Sequence, residues 1–305
     1  MDYKKIIKSQ KLRLKILQLL SFLPDKVMVK LHYRISTGKK LNLNNPNTFN
    51  EKIQWYKLYY RHPLMVKCAD KYAVREYVAE KGLSEILNEC YGIYNSIEEI
   101  NLNSLPKKFV LKVTNGCGAN IFCENKNLLD ETSMRMKLKE WIKPIKNSPG
   151  REWSYNNIKP RIVCEKYLEV NREEDEDLLD YKFFCFYGKP THIQVDMDRF
   201  TKHKRNIYDV NWKYIDATIT YPNVGDIIKK PKNLDTMLEV ASILSEDFPH
   251  VRLDLYDYRE KIIFGEMTFY HGSGYEKFSS YELEKEMGKE FILPEKLLNS
   301  VKREY

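Results

Sequence analysis

Charged side chains interrupt a stretch at 251–274 (VRLDLYDYREKIIFGEMTFYHGSG) that otherwise has the pattern of a buried β-hairpin. Apolar residues alternate with other residues on both sides of a polar turn, which predicts two strands with distinct faces. Arg252 and Asp254 share one face of the first strand, whereas Glu266 and Thr268 share one face of the second. If even positions pair with even positions, all four side chains meet on one side of the sheet, because a slip of one residue would separate them. The sequence alone leaves this register open.

These four side chains have the chemistry of a magnesium and phosphate site. Mg²⁺ is held by one or two carboxylates together with substrate phosphates, and a hydroxyl oxygen and a nearby cation suit such a set. The alternative is a solvated hairpin face with a surface ion pair, which is the commoner arrangement of such charges. Gly272 and Gly274 favour the site, because a Gly-x-Gly directly after a strand lets backbone amides approach an anion.

A second pattern suited to phosphate lies in the first half of the chain. The strand-like FVLKV at 109–113 contains Lys112 and runs into a loop with Gly116 and Gly118. A lysine ammonium and the amides of a flexible loop together suit phosphate groups. The same features describe many hairpins, and the spacing of a Walker loop or a Rossmann fingerprint is lacking. The pattern therefore supports a nucleotide site only in combination with the hairpin.

A further group of candidate binding residues lies near the segment 191–198. Polar and apolar residues alternate there, so one polar face of a strand is predicted to border the cleft. A basic cluster follows, and it suits an anionic group such as a uronate or a phosphate; the alternative is a solvated loop. The predicted substrate contacts are Asp196, Arg199, Arg205, Gly272 and Gly274.

Composition predicts a folded, cytoplasmic protein. With 305 residues the chain is long enough for one large domain or two packed lobes. It contains 22 Tyr and 13 Phe, which argues against a disordered chain. Its six cysteines include no Cys-x-x-Cys pair, and the N-terminus lacks a signal-peptide pattern. Both observations favour a reducing compartment and argue against zinc.

The net charge of +8 is concentrated at the N-terminus. Residues 1–40 carry a net charge of +9, from eleven Lys or Arg against two Asp, and the rest of the chain is close to neutral. The segment KKIIKSQKLRLKILQLLSFL at 4–23 is too short and too charged to span a bilayer. It is predicted either to rest on the anionic inner face of the plasma membrane or to pack as a helix with its lysines in water. Nucleic acid is not an expected partner, because no aromatic-interleaved basic motif lies elsewhere.

Local patterns predict a mixture of helices and strands without a βαβ repeat, which favours an α+β fold. Two helices are expected within 50–82, the second capped by Asp70 and ended by Gly82, and another helix is expected at 234–248. The acidic run at 171–177 is predicted to be a solvated loop. Besides the hairpin, strands are predicted at 109–113, 161–165, 181–187 and 191–198.

Together, these motifs resemble the ATP-grasp enzymes, in which two α+β lobes hold ATP between them. The segment CEKYL at 164–168 resembles the hinge of such enzymes, which contacts the adenine edge. Asp180 stands where the family often has an acid for the ribose, and Lys71 and Lys112 resemble the lysines that hold the phosphates. The resemblance implies the following nucleotide contacts: Lys71, Lys112, Gly116, Gly118, Glu165, Tyr167, Leu168, Asp180 and Lys182.

The same resemblance gives roles to the hairpin residues. Asp254 and Glu266 correspond to Mg²⁺ ligands, and Arg252 corresponds to the catalytic cation that stabilises a developing oxyanion. The family usually has Asn at the position of Thr268, so the third metal ligand departs from the pattern. Its hydroxyl is expected to coordinate directly or through water. ATP and Mg²⁺ are therefore the predicted cofactors.

More narrowly, TFNEKIQWYKL, DKYAVREYV, NIKPRIVCEKYLE, DYKFFCFYGKP and RLDLYDYREKIIFGEMTF resemble the TupA-like ATP-grasp proteins of surface-polysaccharide biosynthesis. The resemblance predicts a basic helical N-terminal region at 1–68, a small lobe with its preceding helix at 69–162, and a large lobe with the metal site at 163–305. It implies a ligase that joins a small amino compound, such as an amino acid, to a carboxylate on a glycan or glycolipid precursor through an acyl phosphate. A sugar kinase and a catalytically silent nucleotide-binding component of a polysaccharide assembly complex stay open as alternatives.

Overall fold

The computed structural model describes residues 19–20, 22–116, 118–144, 150–169, 178–197 and 202–298. Within these ranges the chain forms helices and two antiparallel sheets. The helices are α1 Asp25–Thr37, α2 Phe49–Tyr59, α3 Pro63–Ala69, α4 Val74–Glu80, α5 Glu131–Trp141, α6 Trp153–Asn156, α7 Leu234–Ser245 and α8 Tyr281–Glu290. The smaller sheet contains β1 Cys90–Tyr94, β2 Phe109–Val113, β3 Asn120–Cys123 and β4 Ile162–Lys166. The larger contains β5 Asp180–Phe186, β6 Lys189–Met197, β7 Lys204–Asp209, β8 Tyr214–Ile215, β9 Val251–Tyr258 and β10 Lys261–Thr268.

The smaller sheet has the strand order β1-β4-β2-β3 and packs one face against α5. Phe109 and Leu111 of β2 form a core with Leu138 of that helix. Because successive side chains of a strand alternate between faces, Lys112 lies on the opposite face, where it meets Glu165 of β4. The smaller sheet thus presents a charged face away from its own core.

The larger sheet has the strand order β10-β9-β5-β6-β7-β8. On one face, Phe183, Val195 and Leu253 are fully buried in a core that includes α7. The other face carries the polar residues of β5, β6 and β9 at its centre. We call this second face the polar face of the larger sheet.

Helix α2 covers one end of the polar face. It begins with a capping box, in which Thr48 Oγ1 accepts from the Glu51 backbone N–H and the Glu51 carboxylate accepts from the Thr48 N–H. The first residue of the helix, Phe49, meets Phe184 of β5 edge to face, with the ring centroids 5.7 Å apart. Through this contact the helix is anchored on the sheet beside the polar residues.

The predicted α+β class is confirmed, and the predicted strands overlap those observed. Two helices were predicted within 50–82, but three form there, because α3 lies between the two that were expected. Asp70 accepts from the backbone N–H groups of Tyr72 and Ala73 at 2.8 and 2.9 Å, and α4 begins only at Val74. The predicted loop at 171–177 lies outside the described residues.

The proposed limits of the lobes stay a prediction. In the structure, α4 belongs to the core of the larger sheet, since Tyr77 lies with its ring centroid 5.8 Å from that of Phe248, just before β9. Its hydroxyl also donates to the backbone carbonyl of Leu244 in α7. The helix that precedes the smaller sheet in sequence therefore packs with the larger one.

Candidate functional site

The hairpin of β9 and β10 contains a β-bulge that decides which side chains meet. Between the turn and Phe264, odd-numbered residues of β10 pair with even-numbered residues of β9. Beyond Gly265 the register shifts by one residue, and even-numbered residues of β10 pair with even-numbered residues of β9. The extra residue turns Phe264 into the core, whereas strict alternation predicted it on the face of Glu266. Glu266 pairs with Asp254 on the polar face. The even-with-even register is therefore confirmed for the predicted site residues, and it depends on the bulge.

Arg252 lies at the centre of the polar face. Its Nε and Nη2 donate to the two carboxylate oxygens of Asp254, both at 2.7 Å, and Nη2 also donates to Glu266 Oε1 at 3.2 Å and Thr268 Oγ1 at 3.1 Å. Paired bonds of this kind fix the guanidinium and the carboxylate in one plane. Burial alone would lower the pKa of Arg252, but Asp254 and the other nearby carboxylates raise it above its usual range. The guanidinium is therefore charged and held in a fixed position.

Lys182 of β5 connects this cluster to the next strand. Its buried ammonium donates to Asp254 Oδ2 at 2.6 Å and to Asp180, and lies 4.0 Å from Asp196 Oδ2. Burial raises the pKa of Asp254, while Arg252 and Lys182 act to lower it. The negative charge of Asp254 thus depends on the two cations beside it. Of the predicted nucleotide contacts, Asp180 and Lys182 are therefore brought together with the predicted metal ligand.

Asp196 and Arg205, two predicted substrate contacts, are buried against each other. Arg205 Nε donates to Asp196 Oδ1 at 2.6 Å, and Nη2 donates to Oδ2 at 3.3 Å. Burial acts to raise the pKa of Asp196, but Arg205, Lys182 and His203 together lower it to about 2. With Arg252, Asp254 and Lys182, this pair forms a series of alternating positive and negative side chains across the polar face of the larger sheet. Its contact with a substrate stays a prediction, and Arg199 lies outside the described residues.

His271 belongs to the same cluster and was not predicted. Its Nδ1 lies 2.9 Å from Nη1 of Arg252. Because a guanidinium can only donate, Nδ1 is the acceptor and the ring proton lies on Nε2. Burial and the charge of Arg252 lower the pKa of His271 well below its usual value. A neutral imidazole therefore orients the remaining nitrogen of the guanidinium.

On the smaller sheet, Lys112 and Glu165 form a close ion pair. Lys112 Nζ donates to Glu165 Oε2 at 2.6 Å, and Arg75 Nη1 of α4 lies 3.6 Å from Oε1. The carboxylate thus orients the lysine that the sequence assigns to phosphate. The role predicted for Glu165 at the adenine edge stays a prediction.

Lys71 lies against the glycine loop that follows β2. Its backbone N–H donates to the carbonyl of Thr114 at 3.3 Å, and its ammonium donates to the carbonyl of Gly116. Gly118 has φ +75°, a conformation that favours glycine. The structure therefore places Lys71 beside Gly116, and the predicted contact of Lys71, Gly116 and Gly118 with phosphates stays a prediction.

A cavity of about 310 Å³ lies between the predicted hinge and the hairpin. It is lined by Leu168, just after β4, and by Ile263, which the register places on the polar face. Its wall also contains polar and charged residues, namely Asn88, Glu89, Lys166, Arg259 and Lys261. Tyr167 is directed elsewhere, since its hydroxyl donates to Glu124 at 3.1 Å. Of the two apolar hinge residues predicted at the adenine, Leu168 lines the cavity.

The glycine-rich loop after β10 is held by buried side chains of α2. Residues 272–274 have φ values of 51°, 55° and 64°, so three successive residues are left-handed. Lys57 Nζ donates to Ser273 O at 2.6 Å and Oγ at 2.9 Å, and Gln54 Nε2 donates to the carbonyl of Gly274 at 2.7 Å. A Cβ at Gly274 would lie 2.5 Å from Gln54 Nε2. The glycines are therefore required by the loop itself, and their contact with a substrate stays a prediction.

The acidic pair of the hairpin fits Mg²⁺ better than a metal that needs an all-protein cage. Among the described residues, no three His, Cys, Asp or Glu side chains are arranged as metal ligands. Mg²⁺ takes one or two carboxylates and completes its shell with phosphates and water. Asp254 and Glu266 supply two carboxylates from paired positions, and the Glu266 side chain is 33% exposed. Thr268 Oγ1 lies 3.3 Å from Glu266 Oε1, close enough to share a ligand with it.

The residues that sequence reasoning missed lie next to predicted ones. Gln54 and Lys57 stand three positions apart on the face of α2 that also buries Ile53 and Tyr56. Two polar residues at helical spacing within an apolar face are a signal that could have identified them. His271 carries a weaker signal, as the residue directly before the Gly-Ser-Gly loop.

Comparison with known proteins identifies one family model over most of the chain. The model described as TupA-like ATPgrasp matches residues 51–292. No match was found among curated proteins.

Several solved structures are partly similar. D-alanine–D-alanine ligase from Bacillus anthracis is 19% identical, with a TM-score of 0.40 over 67% of this chain and 57% of that one. D-alanine–D-alanine ligase from Helicobacter pylori is 14% identical, with a TM-score of 0.42 over 81% and 70%. L-amino acid ligase from Bacillus licheniformis is 12% identical, with a TM-score of 0.40 over 76% and 46%. The chain spans less than two thirds of the length of the first and the third.

Proposed function

This chain belongs to the TupA-like ATP-grasp family and has its α+β fold, and on that premise we propose that it is an ATP-dependent, ADP-forming carboxylate–amine ligase. The observation that carries the proposal is the meeting of Asp254, Glu266 and Arg252 on one face of the larger sheet. Two carboxylates suited to Mg²⁺ beside a fixed guanidinium match the charge that accumulates when a phosphoryl group is transferred to a carboxylate.

In the proposed reaction, an oxygen of the substrate carboxylate attacks the γ-phosphorus of ATP. The bond from that phosphorus to the β-phosphate oxygen breaks, and ADP leaves with the electron pair. An amine nitrogen then attacks the acyl carbon of the resulting acyl phosphate and loses a proton, and phosphate leaves with the electrons of the broken C–O bond. Arg252 is the proposed catalytic residue for the tetrahedral oxyanion, and Asp254 and His271 hold it in position.

The nucleotide is proposed to lie between the two sheets. Lys71, Lys112 and the loop with Gly116 and Gly118 would hold its phosphates from the smaller sheet. When bound, Mg²⁺ would neutralise phosphate charge from the side of the larger sheet. The adenine would occupy the cavity beside Leu168, and the ribose would lie near Asp180.

We propose a sugar carboxylate of a surface-polysaccharide precursor, such as a uronic acid, as one substrate and an amino acid or similar amine as the other. Family membership supports the ligase reaction, and the resemblance to TupA-like proteins supports the glycan. A sugar kinase would use the same phosphate and metal groups. A catalytically silent component would keep the nucleotide site without turnover, and Thr268 in place of Asn is the feature that favours it.

The test is a reaction with MgATP, glucuronic acid oligomers and a mixture of amino acids. A ligase releases ADP and phosphate in equal amounts, and the oligomer gains the mass of an amino acid less one water. Release of AMP contradicts the proposal. Retention of ³²P from γ-labelled ATP on the oligomer identifies the kinase, and nucleotide binding without turnover identifies the silent component.

A further inference from the structure

An exposed surface of apolar and basic side chains runs along helix α1 and the residues before it. Two of these apolar side chains are among the most exposed in the described ranges, with Leu19 75% and Phe22 78% accessible. Val27 and Leu31 are exposed one helical turn apart. We call this the α1 surface, and its members are Leu19, Phe22, Lys26, Val27, Lys30, Leu31 and Arg34.

The opposite face of α1 is already occupied by the protein. Val29 and Tyr33 are buried in a small core with Trp55 and Leu58 of α2. The exposed positions follow each other at helical spacing on the other side of the helix. The apolar members of the α1 surface are therefore not needed for this packing.

The charge of the α1 surface is entirely positive. Lys26, Lys30 and Arg34 are exposed between its apolar members. Asp25 is the only acidic residue between positions 19 and 40, and it is engaged on the inner side, 3.2 Å from Arg61 Nη2 and 3.5 Å from Arg151 Nε. An anion that approaches this face meets no carboxylate of α1.

We propose that the α1 surface docks the protein reversibly on an anionic lipid bilayer. An amphipathic helix binds such a surface by placing apolar side chains at the acyl boundary and cations among the headgroups, and the α1 surface offers both at once. A purely electrostatic partner such as nucleic acid would leave Leu19 and Phe22 in water. No helix in the described ranges is long and apolar enough to cross a bilayer.

The proposal is independent of the chemistry at the candidate site. The sequence placed the membrane segment at 4–23, of which residues 4–18 and 21 lie outside the described residues. The α1 surface extends the expected contact into α1, where single side chains on the outer face can be substituted without deleting a segment. If the ligase proposal also holds, docking places the site at the membrane where lipid-linked precursors lie.

The experiment is vesicle flotation of the full chain, with vesicles of phosphatidylcholine alone or of equal parts phosphatidylcholine and phosphatidylglycerol. The wild-type protein should float only with the anionic vesicles. It should sediment at about 1 M salt, where the screening length falls to about 3 Å. Equal binding to both vesicles, or no binding at low salt, overturns the proposal.

Two double variants separate the charge from the apolar contribution. Lys30→Gln with Arg34→Gln should lower the partition coefficient about 30-fold, because each basic residue near the surface contributes about a factor of five. Phe22→Ser with Leu31→Ser should also lower it. Leu128→Ser and Lys107→Gln, at exposed positions elsewhere, should bind as the wild type does. Thermal unfolding near that of the wild type shows that the α1 variants are folded, and unchanged binding by both of them contradicts the assignment.

Discussion

Glu266 and Asp254 are both predicted Mg²⁺ ligands, but their side chains differ in burial. The Glu266 side chain is 33% exposed, whereas Asp254 is buried between Arg252 and Lys182. We expect Glu266→Gln to abolish turnover with little change in the melting temperature, because an amide oxygen still accepts from Arg252 but no longer supplies an anionic metal ligand. Asp254→Asn should lose stability as well, since breaking a buried ion pair costs about 3–5 kcal/mol.

The measurement is ADP release at saturating Mg²⁺, together with thermal unfolding of each variant. Glu260→Gln is the matched control, because Glu260 lies at the exposed turn of the same hairpin and pairs with the exposed Lys232. Near-normal turnover in Glu266→Gln would show that Glu266 is not a metal ligand. The pair of variants thus separates a role in chemistry from a role in folding.

The individual residues of the hairpin cluster could be predicted from the sequence, but their partners could not. Alternation placed Arg252 with Asp254 and Glu266 with Thr268, because these pairs lie on the same strand. The central position of Lys182 depends on β5 lying between β9 and β6, which is a contact between distant segments. Local periodicity carries no information about that order.

At the scale of elements, the bulge of β10 is a feature that the sequence indicates only in part. A glycine inside a strand marks a bulge or a close approach of backbones, and a Cβ at Gly265 would lie 2.9 Å from the carbonyl oxygen of Asp254. Gly265 in the sequence therefore indicates where the bulge lies. The direction in which the register shifts depends on the partner strand, so strict alternation along β10 places Phe264 on the wrong face.

The contact between α2 and the glycine-rich loop makes a prediction about pH. Burial lowers the pKa of Lys57 from 10.5 to about 7. At Lys57 the unfolded chain therefore binds the additional proton between about pH 7 and pH 10, so the contribution of this group to stability should rise with pH across the window. Burial raises the pKa of the thiols of Cys68, Cys164 and Cys185, so these groups act in the opposite direction above about pH 8.5. The slope of the wild type should therefore exceed that of Lys57→Met by up to about 1.4 kcal/mol per pH unit.

Urea unfolding of the wild type and Lys57→Met between pH 7 and pH 10 measures this slope. Lys189→Met is the control, because Lys189 is an exposed lysine on β6. Equal slopes in all three proteins would mean that Lys57 is not the titrating group. A smaller slope in Lys57→Met alone would show that the charge of one buried lysine is linked to the stability of the fold.

For the whole molecule, the proposed nucleotide site joins two sheets with separate hydrophobic cores. The predicted phosphate contacts lie at the smaller sheet, and the predicted metal ligands lie on the larger one. A non-hydrolysable ATP analogue with Mg²⁺ should therefore raise the melting temperature, because a ligand bound only by the folded state stabilises it by about 2.7 kcal/mol at a hundredfold excess over Kd.

Lys112→Ala should reduce this ligand-induced increase, since a hydrogen bond from a charged group contributes about 1.5–3 kcal/mol. The loss of Lys112 also leaves Glu165 with Arg75 as its nearest cation, which lowers the melting temperature of the ligand-free protein. For each protein, the quantity to compare is therefore the increase in melting temperature on adding the ligand at matched concentrations, and not the melting temperature itself. Lys107→Ala, at an exposed position just before β2, should keep the full increment. If Lys112→Ala keeps it too, the lysine serves only to pair with Glu165, and the phosphates of the nucleotide are held elsewhere.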